Sequence, residues 1–375
     1  MSGKVNITDL LCDDGVHTIG VAALDNVASL NALTYDMLEQ LNDQLLAWQD
    51  DPYVVCVLIT GEGDKAFCAG GDVRTMYHVM HNKTKEAIQS FCTHYFSLEY
   101  QCDYLIHTYG KPIIVWGDGI VMGGGMGLFM GASHKVVTTR SLLAMPEIHI
   151  GLYPDVGGTW FLNQIEPEVG LFLGLTGAVV NSTDAVAIGL ANHLLLEEQF
   201  LALLEELKYA DWKTDSHHDL VSMVLESMAS DVVDSKPKSQ ILPYITDIKE
   251  ACSGDDLGQI AKNIMALEGD SPWLQNAKQA FAAGSPITAH ICFRQVKRCH
   301  QLSLAECFRL ELSLSVRSAL LGEFEEGVRS RLIDKDGEPK WMYGSVSEVD
   351  ESVIDTLFTS MWLEGEHPLA QLETQ

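Results

Sequence analysis

Positive charge is scarce in this chain. Its 375 residues carry 24 Lys and Arg against 52 Asp and Glu, a formal net charge of −28 at pH 7. Such a surface repels polyanions, which predicts no nucleic-acid partner and no attraction to an anionic membrane. Long apolar runs are missing as well: nowhere do about 18 apolar residues follow one another, the length a membrane-spanning helix needs. The opening residues, MSGKVNITDLLCDDG, lack the apolar core of a signal peptide and the Arg-rich character of a transit peptide. A cytoplasmic protein is expected on that basis. The nine cysteines include no Cys-x-x-Cys pair, and the 13 histidines no His-x-x-x-His spacing. Neither a disulfide framework nor a zinc site is indicated, and each cysteine reads as a small reduced hydrophobe. His134 and His149, each in an apolar segment, read as satisfied core histidines.

What remains is a globular, metabolite-handling composition, 47% hydrophobic and 8% aromatic. The length suits one large domain with an appendage, or two domains. Val16 to Leu24 and the β-branched run Val54 to Thr60 read as strands. Thr34 to Gln49 carries Leu38, Leu41, Leu45 and Trp48 at helical spacing. A longer helix is predicted from Lys85 to about Tyr109, a strand from Ile113 to Trp116, a helix near Gly124 to Gly131 and a strand from His134 to Thr138. Strands and helices that alternate in this way predict an α/β fold. After about Glu197 strand signals stop and helical patterns take over, including a capping box at Ser303-Leu304-Ala305-Glu306. The expected division is therefore a core over residues 1–200 and a mainly helical region over 201–375. Between Ser285 and Trp341 nine basic residues face eight acidic ones, whereas Met342 to Gln375 has seven acids and no base. The basic segment serves either an anionic ligand or the acidic surface of its own fold.

Three stretches carry chemistry. Cys68-Ala69-Gly70-Gly71-Asp72 and Met122-Gly123-Gly124-Gly125-Met126-Gly127 bracket a third, Met145-Pro146-Glu147 through Tyr153-Pro154-Asp155-Val156-Gly157-Gly158. Glycines let backbone N–H groups approach a ligand closely, and a helix opening at Gly124 would aim unpaired first-turn donors at it. For an isolated Gly-Gly-Gly, close helix–strand packing is the commoner use. Glu147 follows Pro146, and Asp155 follows Pro154 ahead of the turn signature Val156-Gly157-Gly158. Carboxyls gathered in an apolar cleft repel one another until one stays protonated, giving an acid and a base together.

These residues closely resemble the crotonase (enoyl-CoA hydratase/isomerase) superfamily, and within it the 3-hydroxyisobutyryl-CoA hydrolase branch. Lys65 to Arg74 matches the first donor loop, Met122 to Gly127 the second, and Met145 to Gly158 the acidic segment. Further matches run through Leu175-Thr176-Gly177, Gly189-Leu190-Ala191, Ser285-Pro286 and Leu302 to Cys307, then to Glu326-Gly327-Val328-Arg329, Leu332 to Lys335 and Lys340-Trp341. The resemblance implies a spiral of ββα units with a helical C-terminal region, binding an acyl-CoA thioester. It implies an oxyanion hole from the N–H groups of Gly71 and Gly124, with Glu147 as principal catalytic carboxylate. Asp155 stands beside Glu147, and Glu99 is a third acid near the substrate. Without the family, Glu99 reads as a helix-surface glutamate. No metal and no separate cofactor is implied, since CoA enters as part of the substrate. The family also implies a trimer or hexamer, or a monomer if the helical region covers its own site.

Two departures refine the expectation. Gly127 occupies the position of one of the two catalytic glutamates of the hydratases, which favours hydrolysis over hydration. Asn26 to Ser29 lacks the basic residue often found there, leaving Lys65, Arg74 or the basic C-terminal segment as candidates to hold the CoA phosphates. The resemblance thus implies a thioesterase acting on a short branched β-hydroxyacyl-CoA, with 3-hydroxyisobutyryl-CoA of valine catabolism as first candidate. Its rivals are an enoyl-CoA hydratase or isomerase working with a single carboxylate, and a non-catalytic acyl-CoA-binding protein.

Overall fold

A computed structural model describes residues 3–213, 216–229, 232 and 235–373. The chain forms two compact units. One comprises Met1–Gly71, Cys102–Leu143 and Val180–Gln240, and the other Asp72–Gln101, Ala144–Val179 and Ile241–Gln375.

The first unit carries two sheets. Among the described residues the strands are β1 (Lys4–Leu11), β2 (Thr18–Asp25), β3 (Val54–Gly61), β4 (Ala66–Cys68), β5 (Ile113–Gly117), β6 (Ile120–Met122), β7 (His134–Thr138), β8 (Leu142–Ala144), β9 (Val180–Asn181) and β10 (His193–Leu195). The larger sheet has the order β1-β2-β3-β5-β7-β10 and the smaller β4-β6-β8-β9. Apart from the antiparallel β1–β2 pair, the neighbours in the larger sheet are parallel. Parallel neighbours cannot be joined by a tight hairpin, so the chain must leave the sheet between them. It does so in a repeated way: β3 is followed by β4, β5 by β6 and β7 by β8, the second strand of each pair lying in the smaller sheet. With the helices α1 (Tyr35–Asp50), α2 (Val73–Asn82), α3 (Lys85–His107) and α4 (Gly124–Gly131) between pairs, this is the expected spiral of ββα units. Beyond Leu195 the described elements are helical.

Burial follows from that arrangement. β5 is buried at every residue and β3 at all but its last two, as parallel strands covered on both faces are. The larger sheet contributes Val55, Leu58, Ile114, Trp116 and Val136 to one core cluster. These pack with Leu203, Leu207, Val221 and Leu225 of the helices Phe200–Tyr209 and His217–Ala229. α1 opens on Thr34, whose side chain accepts from Met37 N, and buries Leu38, Leu41, Leu45 and Trp48, as its spacing predicts. The nine cysteines are free thiols and all but Cys299 are buried. His134 is a core histidine: Nδ1 meets Ser133 Oγ at 3.0 Å and Nε2 meets Ser222 Oγ at 3.0 Å, while burial holds its pKa down to about 4. No helix among the described residues is long and apolar enough to cross a membrane.

The second unit is helical around the acidic segment. Ser285 caps the helix Pro286–Arg298, with proline in its first turn, where a missing N–H costs nothing. The capping box predicted at Ser303 is present in full. Ser303 Oγ accepts from Glu306 N at 3.3 Å, and Glu306 Oε2 accepts from Ser303 N at 2.8 Å, opening the helix Leu304–Leu321. Ser303→Ala is expected to lower unfolding free energy by about 1 kcal/mol, read from the urea midpoint at constant slope. Ser303→Asp, which keeps an acceptor oxygen, should recover most of that loss.

Candidate active site

The first unit supplies backbone donors from two adjacent loops. After β4 the chain turns through Gly70, whose φ of +124° is strained for any residue with a side chain. Leu33 N donates to Gly70 O at 2.8 Å and Ala69 N to Leu30 O at 3.0 Å, and Gly71 bridges to Leu33. The partner strand of this loop is itself built by Asn31. Its Oδ1 accepts from Asn26 N at 2.9 Å, and its Nδ2 donates to Glu62 O and Ala66 O, both at 2.9 Å. The second loop leaves β6 through Gly123 at φ 50°, ψ −124°, and α4 begins at Gly124. The first helical bonds run from Met126 N and Gly127 N to Gly123 O, so the Gly124 N–H lies ahead of the ladder. A Cβ on Gly70 would sit 3.9 Å from Gly124 N, which places the two loops side by side. The packing use of glycine is present too, at the next residue: a Cβ on Gly125 would lie 2.3 Å from Cys68 O.

The second unit gathers the carboxyls. Pro146 leads into a single helical turn, Glu147–His149, and Glu147 is 4% exposed. Glu99 and Asp155 are 3% exposed, so the reading of Glu99 as a surface glutamate is corrected: α3 turns it inward. Tyr100, the next residue, donates to Asp155 Oδ2 at 2.7 Å. Burial is the main reason all three acids resist ionising, and Asp155 adds to the reluctance of the other two. Glu99 is raised well above the ordinary value by burial and then by Asp155, and Glu147 by burial, then Asp155, then Glu99. Asp155 is raised by burial to about 7, with the Tyr100 hydroxyl pulling it back. Glu147 Oε2 is buried and has no hydrogen-bond partner among the described residues. The structure therefore brings Glu99, Glu147 and Asp155 into one apolar cluster, which makes one proton-accepting and one proton-donating carboxyl available together near neutral pH.

Residues that sequence reasoning missed hold this cluster. Val156 and Gly157 have positive φ, 52° and 88°, a costly state for a β-branched residue. The resulting turn aims two N–H groups at Glu311. Glu311 Oε2 accepts from Gly157 N and Oε1 from Thr159 N, both at 2.8 Å, ahead of the short helix α5 (Gly158–Phe161). Gln295 Nε2 donates to Pro154 O and to Thr159 Oγ1, each at 2.8 Å. A glutamate in the run Leu310-Glu311-Leu312-Ser313-Leu314-Ser315 was the available signal, since a lone acid on a buried stripe must have a designated partner. Of the candidate cations, Lys65 and Arg74 are exposed. Part of the basic segment is already paired. Arg294 contacts Asp355 of the acidic tail at 2.7 Å, and Arg329 contacts Glu326, Asp334 and Asp336 at 2.8, 2.7 and 2.6 Å. His149 is half-buried and held down to about 4, by burial first and then by Arg331.

A family model described as enoyl-CoA hydratase/isomerase matches residues 19–358. The chain belongs to the enoyl-CoA hydratase/isomerase family. Within it, the mitochondrial 3-hydroxyisobutyryl-CoA hydrolase of Danio rerio is 34% identical over 346 residues, covering 92% of this chain and 88% of that protein. The Homo sapiens protein of the same name is 36% identical over 343 residues, covering 91% and 86%. A carnitinyl-CoA dehydratase from Mycobacterium thermoresistibile superposes with a TM-score of 0.80 at 30% identity, covering 95% of this chain and 96% of the other. The hydrolases are mitochondrial, which overturns the cytoplasmic expectation. The composition of the opening residues reports on whether they form a leader, not on where the folded protein works.

The raised Asp155 value has a consequence for stability. From the ordinary 3.8 to about 7 the folded protein holds a proton that the unfolded chain has released. The associated stability is therefore full below about pH 4 and is lost as pH rises through 7. Asp155→Asn should lose less stability than the wild type over that interval, by an amount on the order of a few kcal/mol at pH 7. Denaturation midpoints measured across pH check this.

Proposed function

We propose that this protein hydrolyses a short, branched β-hydroxyacyl-CoA thioester, with 3-hydroxyisobutyryl-CoA as first candidate. The observation that carries the reading is Glu147. Its buried Oε2 meets no donor among the described residues, which leaves it open to a ligand, and two further buried carboxyls stand ready to exchange its proton.

In this reading the thioester oxygen is received by the N–H groups of Gly71 and Gly124, which are fixed before the reaction and need no reorganisation as negative charge develops. Glu147 either attacks the carbonyl carbon, forming an acyl anhydride that water then cleaves, or takes a proton from water as that water attacks. In both routes the C–S bond breaks, the CoA sulfur leaves with a proton, and water supplies the acid's hydroxyl. Asp155 handles the proton, and Glu99 faces the substrate hydroxyl. Gly127, inside α4, leaves no second acid on that helix for addition of water across a double bond. The dehydratase likeness favours a second reading, hydration or dehydration by one carboxylate.

Release of free thiol from 3-hydroxyisobutyryl-CoA, measured beside loss of the enoyl absorbance of crotonyl-CoA, separates the readings. Thiol release alone supports hydrolysis, enoyl loss alone supports the hydratase, and neither supports a binder. Glu147→Gln is expected to abolish thiol release while leaving acyl-CoA binding largely intact, and turnover within tenfold of wild type would overturn the assignment. Gly124→Pro removes one amide donor and should cost about 10² to 10³ in kcat, with circular dichroism confirming the fold. A folded Gly124→Pro protein at full activity would make Gly124 a packing residue.

A further inference from the structure

Three hydroxyls that the chemistry above does not use form a line ending on Asp155. Tyr100 Oη lies 2.7 Å from Asp155 Oδ2 and 2.6 Å from Ser315 Oγ. Ser315 Oγ lies 2.7 Å from Tyr153 Oη, and Tyr153 Oη lies 2.7 Å from the backbone carbonyl of Glu311. Tyr100, Tyr153 and Ser315 are fully buried.

The line has four contacts, and its three hydroxyls own one proton each. With Asp155 ionised, the protons point toward it: Tyr153 donates to Ser315, Ser315 to Tyr100 and Tyr100 to the carboxylate. The contact left without a proton is the Glu311 carbonyl, which sits inside the helix Leu304–Leu321, where the backbone ladder supplies its donor. With Asp155 protonated, four protons meet four contacts: three reverse and the fourth, to the Glu311 carbonyl, forms. Asp155 then donates to Tyr100, Tyr100 to Ser315, Ser315 to Tyr153 and Tyr153 to the Glu311 carbonyl. In both protonation states the Asp155 carboxyl stays hydrogen-bonded to Tyr100, and the change between them is made by rotating hydroxyls.

We infer that Tyr100, Ser315 and Tyr153 are positioning residues acting through Asp155, a reversible hydroxyl line that keeps its carboxyl hydrogen-bonded whether it holds a proton or has given it up. The inference rests on the reading above in which Asp155 handles the proton. The groups facing Asp155 are Glu99 and Tyr100 from α3, Glu147 from its helical turn, Tyr153 from the same loop, and Glu311 and Ser315 from the helix Leu304–Leu321. Asp155 opposes ionisation of Glu99, Glu147 and Glu311, and the Tyr100 hydroxyl donates to Asp155. Tyr100 thus favours the ionised form of Asp155 against its burial.

The test compares Tyr100→Phe and Ser315→Ala with wild type by two readouts. Infrared titration of the carboxyl stretch in the substrate-free protein, with Asp155→Asn as blank, follows Asp155 directly. The pH dependence of kcat/KM for thiol release follows it in turnover. Tyr100→Phe withdraws a hydrogen bond from the carboxylate, so the Asp155 titration should move up by about one to two pH units. The acid limb of kcat/KM should move with it. Ser315→Ala leaves Tyr100 bonded but unsupported and should give a smaller shift of the same sign. An Asp155 titration unchanged in both variants, or an activity loss by one common factor at every pH, would overturn the inference and leave only packing roles. If Tyr100→Phe does not fold, Ser315→Ala decides alone. The infrared arm needs no substrate, so it is read whether or not the proposed thioester is turned over.

Discussion

Removal of acidic side chains from water is the constraint on which the second unit depends. Glu99, Glu147, Asp155 and Glu311 are all buried, and an ion deprived of water costs several kcal/mol, whereas one charge-assisted hydrogen bond returns about 1.5–3. The four differ in how much they get back. Glu311 receives two backbone donors, Asp155 one tyrosine hydroxyl, and one oxygen of Glu147 receives none. The acid assigned the chemistry thus keeps one oxygen uncompensated by the described residues. The local folding around it, from the positive φ of Val156 to the placement of Gln295 against Pro154 O, serves to hold its neighbours still.

The first unit meets an opposite requirement. Under the proposed chemistry its loops must leave donors for a ligand, and their neighbouring backbone groups are bonded elsewhere. Asn31 spends its side chain on three backbone groups, Gly70 O is taken by Leu33 N, and Gly123 O carries the first two bonds of α4. Close approach does the remainder, since Gly125 packs against the end of β4 where no Cβ fits.

Elements with a run of patterned residues were legible in the sequence. α1, α4, β5 and β7 lie within a residue or two of their expected bounds, and the Ser303 cap is present because its partners are three residues apart. The strands β4, β6 and β8 escaped notice because three residues are too few to show a pattern. The site divides in the same way. The glycine loops and the acidic segment announced themselves as unusual composition. Glu99 did not, because α3 is 23 residues of mixed character and its periodicity gives no sign of which face turns inward. Glu311 stands out as the lone acid of its apolar stripe, but its partners Gly157 and Thr159 lie 154 and 152 residues away in the sequence. The basic segment's charge was legible but its use was not: pairs such as Arg294 with Asp355 depend on how the acidic tail returns.

The Glu311 clamp also bears on inheritance. Both carboxylate oxygens accept from backbone N–H groups that belong to a strained turn. Glutamine would present an amide hydrogen to one of those donors, and aspartate is a methylene too short to span both. The position therefore admits one side chain for as long as the turn keeps its shape. A descendant of this chain that changes residue 311 will have rebuilt the loop carrying Asp155. A single letter more than 150 residues downstream thus records whether that loop has been kept.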